Sequence, residues 1–292
     1  MIEIFKNGYY RQAGTGIDFK TIVDPLPLQS ENYFLESIKA AEEIEANRSG
    51  KLHLLYSGGL DSEFMLSVFL HLGIDVIPTF IKLSPNYNNH DLEYALKFCQ
   101  SKSINLKVVD IDLKWFIESG TMLDIARSTK ASAYQYTTHA YVTGMLDGTV
   151  ISAGNEPYVK VGPETLTWYV EEYEYDFSMI NYYQDNGIYG TPAFMSYTPG
   201  QMISYLRSRR IQQLVLNLLP GKLGSISSKH IIYNENNDFF LRARPKYHGG
   251  EYLEKSELFN HPTFKDIQKI KETYCGIYQT EYHKFMSNVC EQ

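Results

Sequence analysis

The hydrophobic positions between residues 52 and 153 follow two alternating periods. The run LHLLY at residues 52–56 is short and apolar, which is typical of a buried strand. After it, apolar residues recur with the i, i+3, i+4, i+7 spacing of one helix face, at Met65, Val68, Phe69 and Leu72. Gly73 follows, and glycine commonly ends a helix. The pattern therefore predicts a strand and then a helix that ends near residue 73.

The same alternation continues towards residue 153. DVIPTFI, LKVVDI and TVISA predict further strands. Helical spacing lies between them, first at Leu92, Ala95, Leu96 and Cys99 and then over roughly residues 131–146. Strands separated by helices imply an α/β fold with a doubly wound parallel sheet of about five strands. Such sheets bind ligands outside the carboxyl ends of their strands.

The regular alternation of strand and helix patterns is absent on both sides of this core. Residues 1–29 predict a hairpin turned at Asn7-Gly8 and a proline-marked linker, after which Ser30 is the expected N-cap of a helix. Beyond residue 157 we predict a strand in WYVEEYEYDF, a helix over 199–219, extended KHIIY and FFLRAR, and a helix over 262–289. We therefore divide the chain into 1–29, an α/β core at 30–157, and a C-terminal helical or mixed appendage at 158–292.

Composition narrows the function classes. The formal net charge is −7 and the pI is near 5.6, which argues against a broad basic surface for nucleic acid or an anionic membrane. Cys99, Cys275 and Cys290 form no CxxC pair, so neither a disulfide framework nor a tetrahedral zinc site is expected. No apolar run is long enough to cross a membrane, and no signal-like segment begins the chain. We expect a soluble cytoplasmic protein with neither a membrane nor a nucleic-acid partner.

The candidate chemistry lies in the motif SGGLDS, at Ser57, Gly58, Gly59, Leu60, Asp61 and Ser62. The two glycines stand where the first strand ends and the helix begins, so the backbone can approach a phosphate that a Cβ would keep away. Loop N–H groups and the helix N-terminus then point at the anion, and the two serines add hydroxyl donors. A carboxylate suits this place if it holds a hard cation between itself and the phosphate. The motif therefore predicts a site for polyphosphate and Mg²⁺, with Asp61 as the metal ligand.

The motif resembles the pyrophosphate loop (PP-loop) of the ATP pyrophosphatases. These HUP-like proteins of the adenine nucleotide alpha hydrolase-like superfamily include asparagine synthetase, GMP synthetase, NAD synthetase and tRNA-modifying enzymes. GKLGS at residues 221–225 does not match a Walker-type loop. Over roughly residues 30–160 the chain is most similar to the synthetase domain of asparagine synthetase and β-lactam synthetase, through the helix before the loop and the stretches PTFIKL, HDLEYALKFC and VISAGNEPYV.

That resemblance implies further site residues. Ile81 on the second strand and Ser152 and Ala153 on the later strand are expected to contribute to the ATP site. The family has an Asp-Glu pair after the later strand, where this chain has Asn155 and Glu156. Of these two, Glu156 is the expected catalytic residue, and which of them serves the metal or the substrate is left open. Lys246 matches a late Arg-Pro-Lys lysine of the family, which implies a catalytic cation; a solvated basic strand containing Arg242, Arg244 and Lys246 is an equal alternative.

The resemblance implies an enzyme that uses ATP and Mg²⁺ to adenylate a carboxylate or amide oxygen of a small-molecule acceptor. Pyrophosphate leaves, and ammonia or an amine then displaces AMP. Residue 2 is isoleucine and few residues precede the loop, so we expect no glutaminase within this chain and ammonia from elsewhere, for example from a separate glutaminase. Two alternatives remain: a tRNA-modifying PP-loop enzyme, and a nucleotide-binding module without turnover.

Overall fold

The computed structural model describes residues 2–5, 9–13, 19–23, 31–131, 133–154, 156–161, 168–173, 178–216, 226–241, 250–274 and 277–281. Its strands are β1 (Ile2–Phe5), β2 (Tyr9–Ala13), β3 (Phe19–Val23), β4 (Leu52–Leu55), β5 (Ile77–Ser84), β6 (Lys107–Asp112), β7 (Thr149–Ser152), β8 (Tyr158–Val161), β9 (Trp168–Tyr173), β10 (Tyr189–Thr191) and β11 (Ile277–Glu281).

The described helices lie among these strands along the chain. They are α1 (Tyr33–Ala46), α2 (Leu60–His71), α3 (Asn89–Ser101), α4 (Leu113–Glu118), α5 (Thr121–Thr129), α6 (Tyr134–Thr143), α7 (Ser178–Asp185), α8 (Pro199–Arg207), α9 (Arg209–Leu216), α10 (Ile226–Tyr233), α11 (Glu251–Glu254) and α12 (Pro262–Tyr274). Short 3₁₀ helices span Phe194–Ser196 and Glu257–Asn260.

A parallel sheet forms the centre of the fold. Its described strands are ordered β10-β7-β4-β5-β6, and every neighbouring pair is parallel. All the residues of β4 and β7 are buried, as expected for inner strands of a parallel sheet. The predicted α/β fold with a parallel sheet is confirmed. The edge strand β10 comes from beyond residue 157, so the C-terminal region contributes to this sheet.

Side chains on successive residues of a strand enter two different apolar clusters. Leu54 of β4 packs with α1, α2 and α8, whereas Leu55 packs with α4, α5 and α6. In β7, Ile151 and Val150 divide in the same way. Because neighbouring side chains of a strand point to opposite faces, both faces of the sheet are covered by helices. This is the doubly wound arrangement, and its ligand edge is the one where the strands end.

Helix α2 is the most deeply buried helix of the site region. Its predicted face is confirmed for Met65, Val68 and Phe69, but Phe64 and Leu66 are buried as well. Apolar side chains all around a helix are expected when it lies inside the protein. The first turn of α2, which contains the last three residues of the motif, is therefore fixed in position by the core.

Two smaller antiparallel sheets complete the described strands. One has the order β1-β2-β3 and the other β11-β9-β8. The predicted N-terminal hairpin and the strand at 168–173 are confirmed, although the Asn7-Gly8 turn lies outside the described residues. No helix in the described part of the chain combines the length and the apolar character needed to cross a membrane.

Local predictions were wrong at three places, and one helical region was not predicted. KHIIY belongs to helix α10, and residues 277–281 form strand β11 within the region predicted as a helix. The N-cap of helix α1 is Asn32 and not the predicted Ser30; the Asn32 side chain accepts from the Leu35 N–H at 3.0 Å. Helices α4 and α5 lie between β6 and α6, where no helix was predicted. Short helices and single caps depend on tertiary packing that local spacing does not report.

Candidate functional site

The motif SGGLDS joins the carboxyl end of β4 to the amino end of α2. Gly59 is the N-cap residue, with extended backbone (φ −78°, ψ 166°), and its carbonyl accepts from the Glu63 N–H at 3.0 Å. The N–H groups of the first helical turn have no partner within a helix, and the helix dipole favours an anion there. The loop therefore presents N–H groups at the edge of the sheet where ligands bind.

Both serines of the motif take part in the internal structure of the loop. The Ser62 hydroxyl donates to the Gly59 carbonyl at 3.0 Å, and the Ser57 and Ser62 hydroxyl oxygens are 3.0 Å apart. The Gly59 N–H contacts the Ser57 hydroxyl oxygen at 3.3 Å. Because Ser62 uses its proton on Gly59, Ser57 is the donor between the two serines. The serines hold the loop in shape before any ligand is considered.

The two glycines of the motif have different reasons to be glycine. Gly58 has a left-handed φ of +76°, and a Cβ there would lie 2.3 Å from the Asp91 carbonyl oxygen in α3. A Cβ on Gly59 would meet only the Ser57 hydroxyl, at 3.2 Å. At Gly59 the structure is therefore compatible with the expected reason for a glycine, which is to leave room for a phosphate. At Gly58 the structure gives backbone conformation and helix packing as the reason.

The expected nucleotide residues of the neighbouring strands lie at the same edge as the motif. Leu55 pairs in register with Thr79 of β5 and with Ser152 of β7, so Ile81 and Ala153 both lie beyond the level of the last residue of β4. The Ser152 hydroxyl donates to the Pro192 carbonyl at 2.8 Å. It can still accept a hydrogen bond from a ligand. Contacts of Ile81, Ser152 and Ala153 with ATP remain predictions.

Two carboxylates, one from the first turn of α2 and one from the loop after β7, meet at one lysine. The Lys229 ammonium of α10 lies 2.7 Å from Glu156 Oε1 and 3.1 Å from Asp61 Oδ2. The Glu156 side chain is 7 % exposed, that of Lys229 21 % and that of Asp61 29 %. The group is thus enclosed on the Glu156 side and open on the Asp61 side. Of the pair after β7, Glu156 enters the site, whereas Asn155 lies outside the described residues.

Tyr233 holds the Asp61 carboxylate from the other side. Its hydroxyl donates to Asp61 Oδ1 at 2.7 Å. The ring is fully buried and stacks on Phe64 and Tyr33, with centroid separations of 4.6 and 5.9 Å. A buried ring in such a stack has little freedom to rotate. The orientation of Asp61 is therefore set by the core as well as by the loop.

Electrostatics link the four side chains of this cluster. Burial and the nearby Asp61 charge raise the pKa of Glu156, and the Lys229 ammonium opposes that shift. Burial by itself would lower the pKa of Lys229, but the Asp61 and Glu156 carboxylates outweigh it and raise the pKa. Burial, followed by the same two carboxylates, raises the pKa of the Tyr233 hydroxyl well above its usual value. Both shifts favour the protonated forms, so at neutral pH the lysine is a cation and the tyrosine hydroxyl a hydrogen-bond donor.

The residues present fit the expected Mg²⁺ ion. Among the described residues no three His, Cys, Asp or Glu side chains converge as a closed metal site. Magnesium does not need one, since it usually binds one or two carboxylates together with water and substrate phosphates. Asp61 and Glu156 supply two carboxylates, and Glu156 Oε2 is buried without a hydrogen-bond partner in the described part of the chain. An unsatisfied carboxylate oxygen is a suitable ligand position.

Lys246, the predicted catalytic cation, lies outside the described residues together with Arg242 and Arg244. The sequence interpretation missed Lys229 and Tyr233. They are four residues apart, which places them on one face of a helix. A helical interpretation of KHIIY would have brought them together as a pair, but not next to Asp61.

No protein-family model matches the sequence, and no curated protein does. Solved structures do share similarity with the chain. A protein described as a predicted subunit of tRNA methyltransferase from Methanocaldococcus jannaschii is 14 % identical, with TM-score 0.33 over 54 % of this chain and 74 % of its own. An NH3-dependent NAD synthetase from Campylobacter jejuni is 13 % identical, with TM-score 0.34 over 64 % and 81 %.

A third solved structure, a U34-tRNA thiolase from Methanococcus maripaludis with its 4Fe–4S cluster, is 12 % identical. Its TM-score is 0.30 over 82 % of this chain and 78 % of its own. The identities and TM-scores are low for all three proteins. The function of this chain therefore has to be inferred from its own residues.

Proposed function

We propose that this chain is an ATP-using, AMP-forming enzyme of the PP-loop superfamily, similar to asparagine synthetase. The observation that carries the proposal is the convergence of Asp61 and Glu156 on Lys229, beside a glycine-containing loop at the amino end of α2. N–H groups, two carboxylates and one cation at the carboxyl ends of parallel strands suit a metal-bound polyphosphate.

In this proposal each residue of the site has a defined task. The loop N–H groups hold the β- and γ-phosphates, which leave together as pyrophosphate. Asp61 and Glu156 would hold Mg²⁺, which withdraws negative charge from the leaving pyrophosphate when bound. Lys229 supplies a further positive charge at the same edge, and Tyr233 keeps Asp61 oriented. The residues thus stabilise charge that develops on the leaving group.

The reaction follows from where the pyrophosphate is held. An acceptor carboxylate or amide oxygen forms a bond to the α-phosphorus, and the bond between the α-phosphorus and the bridging oxygen to the β-phosphate breaks. Ammonia or an amine then attacks the activated carbon, loses a proton and displaces AMP. The ammonia is either free or delivered by a separate glutaminase. Residues 158–292 are proposed to form the acceptor site.

The first prediction concerns the products. Incubation with magnesium, ATP and a pool of small carboxylic acids and amines should release AMP and pyrophosphate, because the leaving group is held at the motif and the α-phosphorus is attacked. Chromatography of the nucleotides measures this. Release of ADP and phosphate alone would contradict the proposal. Binding of ATP with no turnover under any acceptor would identify a nucleotide-binding module, and AMP release that needs tRNA would identify a tRNA-modifying enzyme.

The second prediction concerns Lys246. We expect Lys246→Ala to lower the rate of AMP formation far more than the affinity for ATP, since a charge that acts mainly in the transition state changes rate more than ground-state binding. Initial rates and calorimetric ATP binding measure the two effects. An unchanged rate would remove Lys246 from the site and leave Lys229 as the cation that the structure places there.

A further inference from the structure

Lys229 occupies the position that a metal ion shared by Asp61 and Glu156 would take. Its ammonium contacts Asp61 Oδ2 at 3.1 Å, Asp61 Oδ1 at 3.4 Å and Glu156 Oε1 at 2.7 Å. Asp61 Oδ1 also accepts from Tyr233. Only Glu156 Oε2 has no hydrogen-bond partner among the described residues. Three of the four carboxylate oxygens are therefore already engaged by the ammonium.

The charges of this cluster disfavour an additional cation. Two carboxylates and one ammonium leave a net charge of one negative unit, less than a divalent ion carries. A metal ion on Glu156 Oε2 would also lie next to the Lys229 ammonium in a poorly hydrated site, where like charges repel strongly. To bind both carboxylates, the metal has to displace the lysine. A displaced buried ammonium then needs another anion.

A polyphosphate on the motif would be that anion. Lys229 lies at the Asp61 end of the motif and has a long, flexible side chain, so its ammonium can move without a change in the backbone. Asp61 does not have to move with it, because Tyr233 holds Oδ1 independently of Lys229. The carboxylate would therefore stay in place while its cation is exchanged.

We propose that Lys229 and a divalent metal ion alternate on the Asp61–Glu156 pair. Lys229 keeps the pair from binding metal by itself, and metal enters only with a polyphosphate that receives the Lys229 ammonium. This exchange rests on the proposed function and adds to it an order of binding: nucleotide and metal arrive together. It also makes Lys229 a residue that changes partner during each cycle.

The exchange is tested by titration with Mn²⁺ in the absence of nucleotide. Electron paramagnetic resonance measures the concentration of free Mn²⁺, and the difference from the total gives the bound ion. Without nucleotide, Lys229→Met and Lys229→Gln should bind Mn²⁺ about tenfold or more tightly than the unchanged protein, because removal of the ammonium frees both carboxylates. Asp61→Asn added to Lys229→Met should abolish the gain. Lys97→Met, which removes an exposed lysine of α3, is the matched control and should leave Mn²⁺ binding unchanged.

Equal Mn²⁺ affinity of the Lys229 variants and the unchanged protein would overturn the exchange, as would a gain that survives Asp61→Asn. The unchanged protein provides a second arm that does not depend on the folding of a Lys229 variant. If Lys229 prevents metal binding to the carboxylate pair, the protein with Lys229 in place binds Mn²⁺ weakly, and Asp61→Asn alone should barely change that affinity. Tight Mn²⁺ binding by the unchanged protein that is lost in Asp61→Asn would refute the proposal. These titrations contain no nucleotide, so their outcome is separate from whether AMP is formed.

Discussion

Replacement of Asp61 by asparagine is expected to lower AMP formation by a factor of about a hundred or more, with little loss of stability. Asp61 is the proposed metal ligand within the motif, and an amide has no charge with which to hold Mg²⁺. In this variant Lys229 keeps its 2.7 Å contact with Glu156, so its ammonium is not left buried without an anion. The amide oxygen can still accept from Tyr233, which preserves the geometry.

The measurement is the initial rate of AMP release, accompanied by thermal unfolding to show that the variant is folded. Asp75→Asn is the matched control, since Asp75 is exposed and precedes β5 at the opposite edge of the sheet. That variant should keep the rate of the unchanged protein. A folded Asp61→Asn protein with an undiminished rate would show that this carboxylate has no part in turnover.

Replacement of Gly58 by alanine is expected to destabilise the fold by about 2–4 kcal/mol, because the new Cβ combines a left-handed backbone with a collision. The collision is with the Asp91 carbonyl oxygen of α3, only 2.3 Å away. That oxygen belongs to the backbone of a helix and cannot simply rotate aside. The sequence predicts that a side chain at either glycine weakens ATP binding more than folding; for Gly58 we now expect the reverse.

Gly59→Ala is the matched comparison for Gly58→Ala. Its backbone angles are accessible to alanine, and its Cβ would approach only a serine hydroxyl. We expect a stability change within about 1 kcal/mol, typical of an N-cap glycine replacement, and a clear loss of ATP affinity. Denaturant unfolding and calorimetry measure the two quantities. Equal stability of the two variants would contradict the packing role of Gly58, and an unchanged ATP affinity of Gly59→Ala would contradict the phosphate role of Gly59.

The local sequence by itself determines the core of this protein. Apolar runs such as LHLLY and the helical spacing of Met65, Val68 and Phe69 predict β4 and α2 because both elements bury most of their residues. Because these elements are buried, their apolar pattern predicts the strand-helix junction and hence the position of SGGLDS from the sequence. The serines, Asp61 and the glycines can be identified as candidate site residues for the same reason, because the sequence gives both their side-chain chemistry and their position at this junction.

Long-range packing decides the rest of the site. Lys229 and Tyr233 meet Asp61 across 168 and 172 residues of chain, and no local spacing encodes such a contact. Helix α10 has eight residues and β10 three, too short for a periodic pattern to identify, so tertiary contacts stabilise both. Gly58 likewise looks like a phosphate residue in the sequence, but α3 packs against it in space. The chemistry of the motif is thus local, whereas the partners that control its charge depend on how the chain folds back on itself.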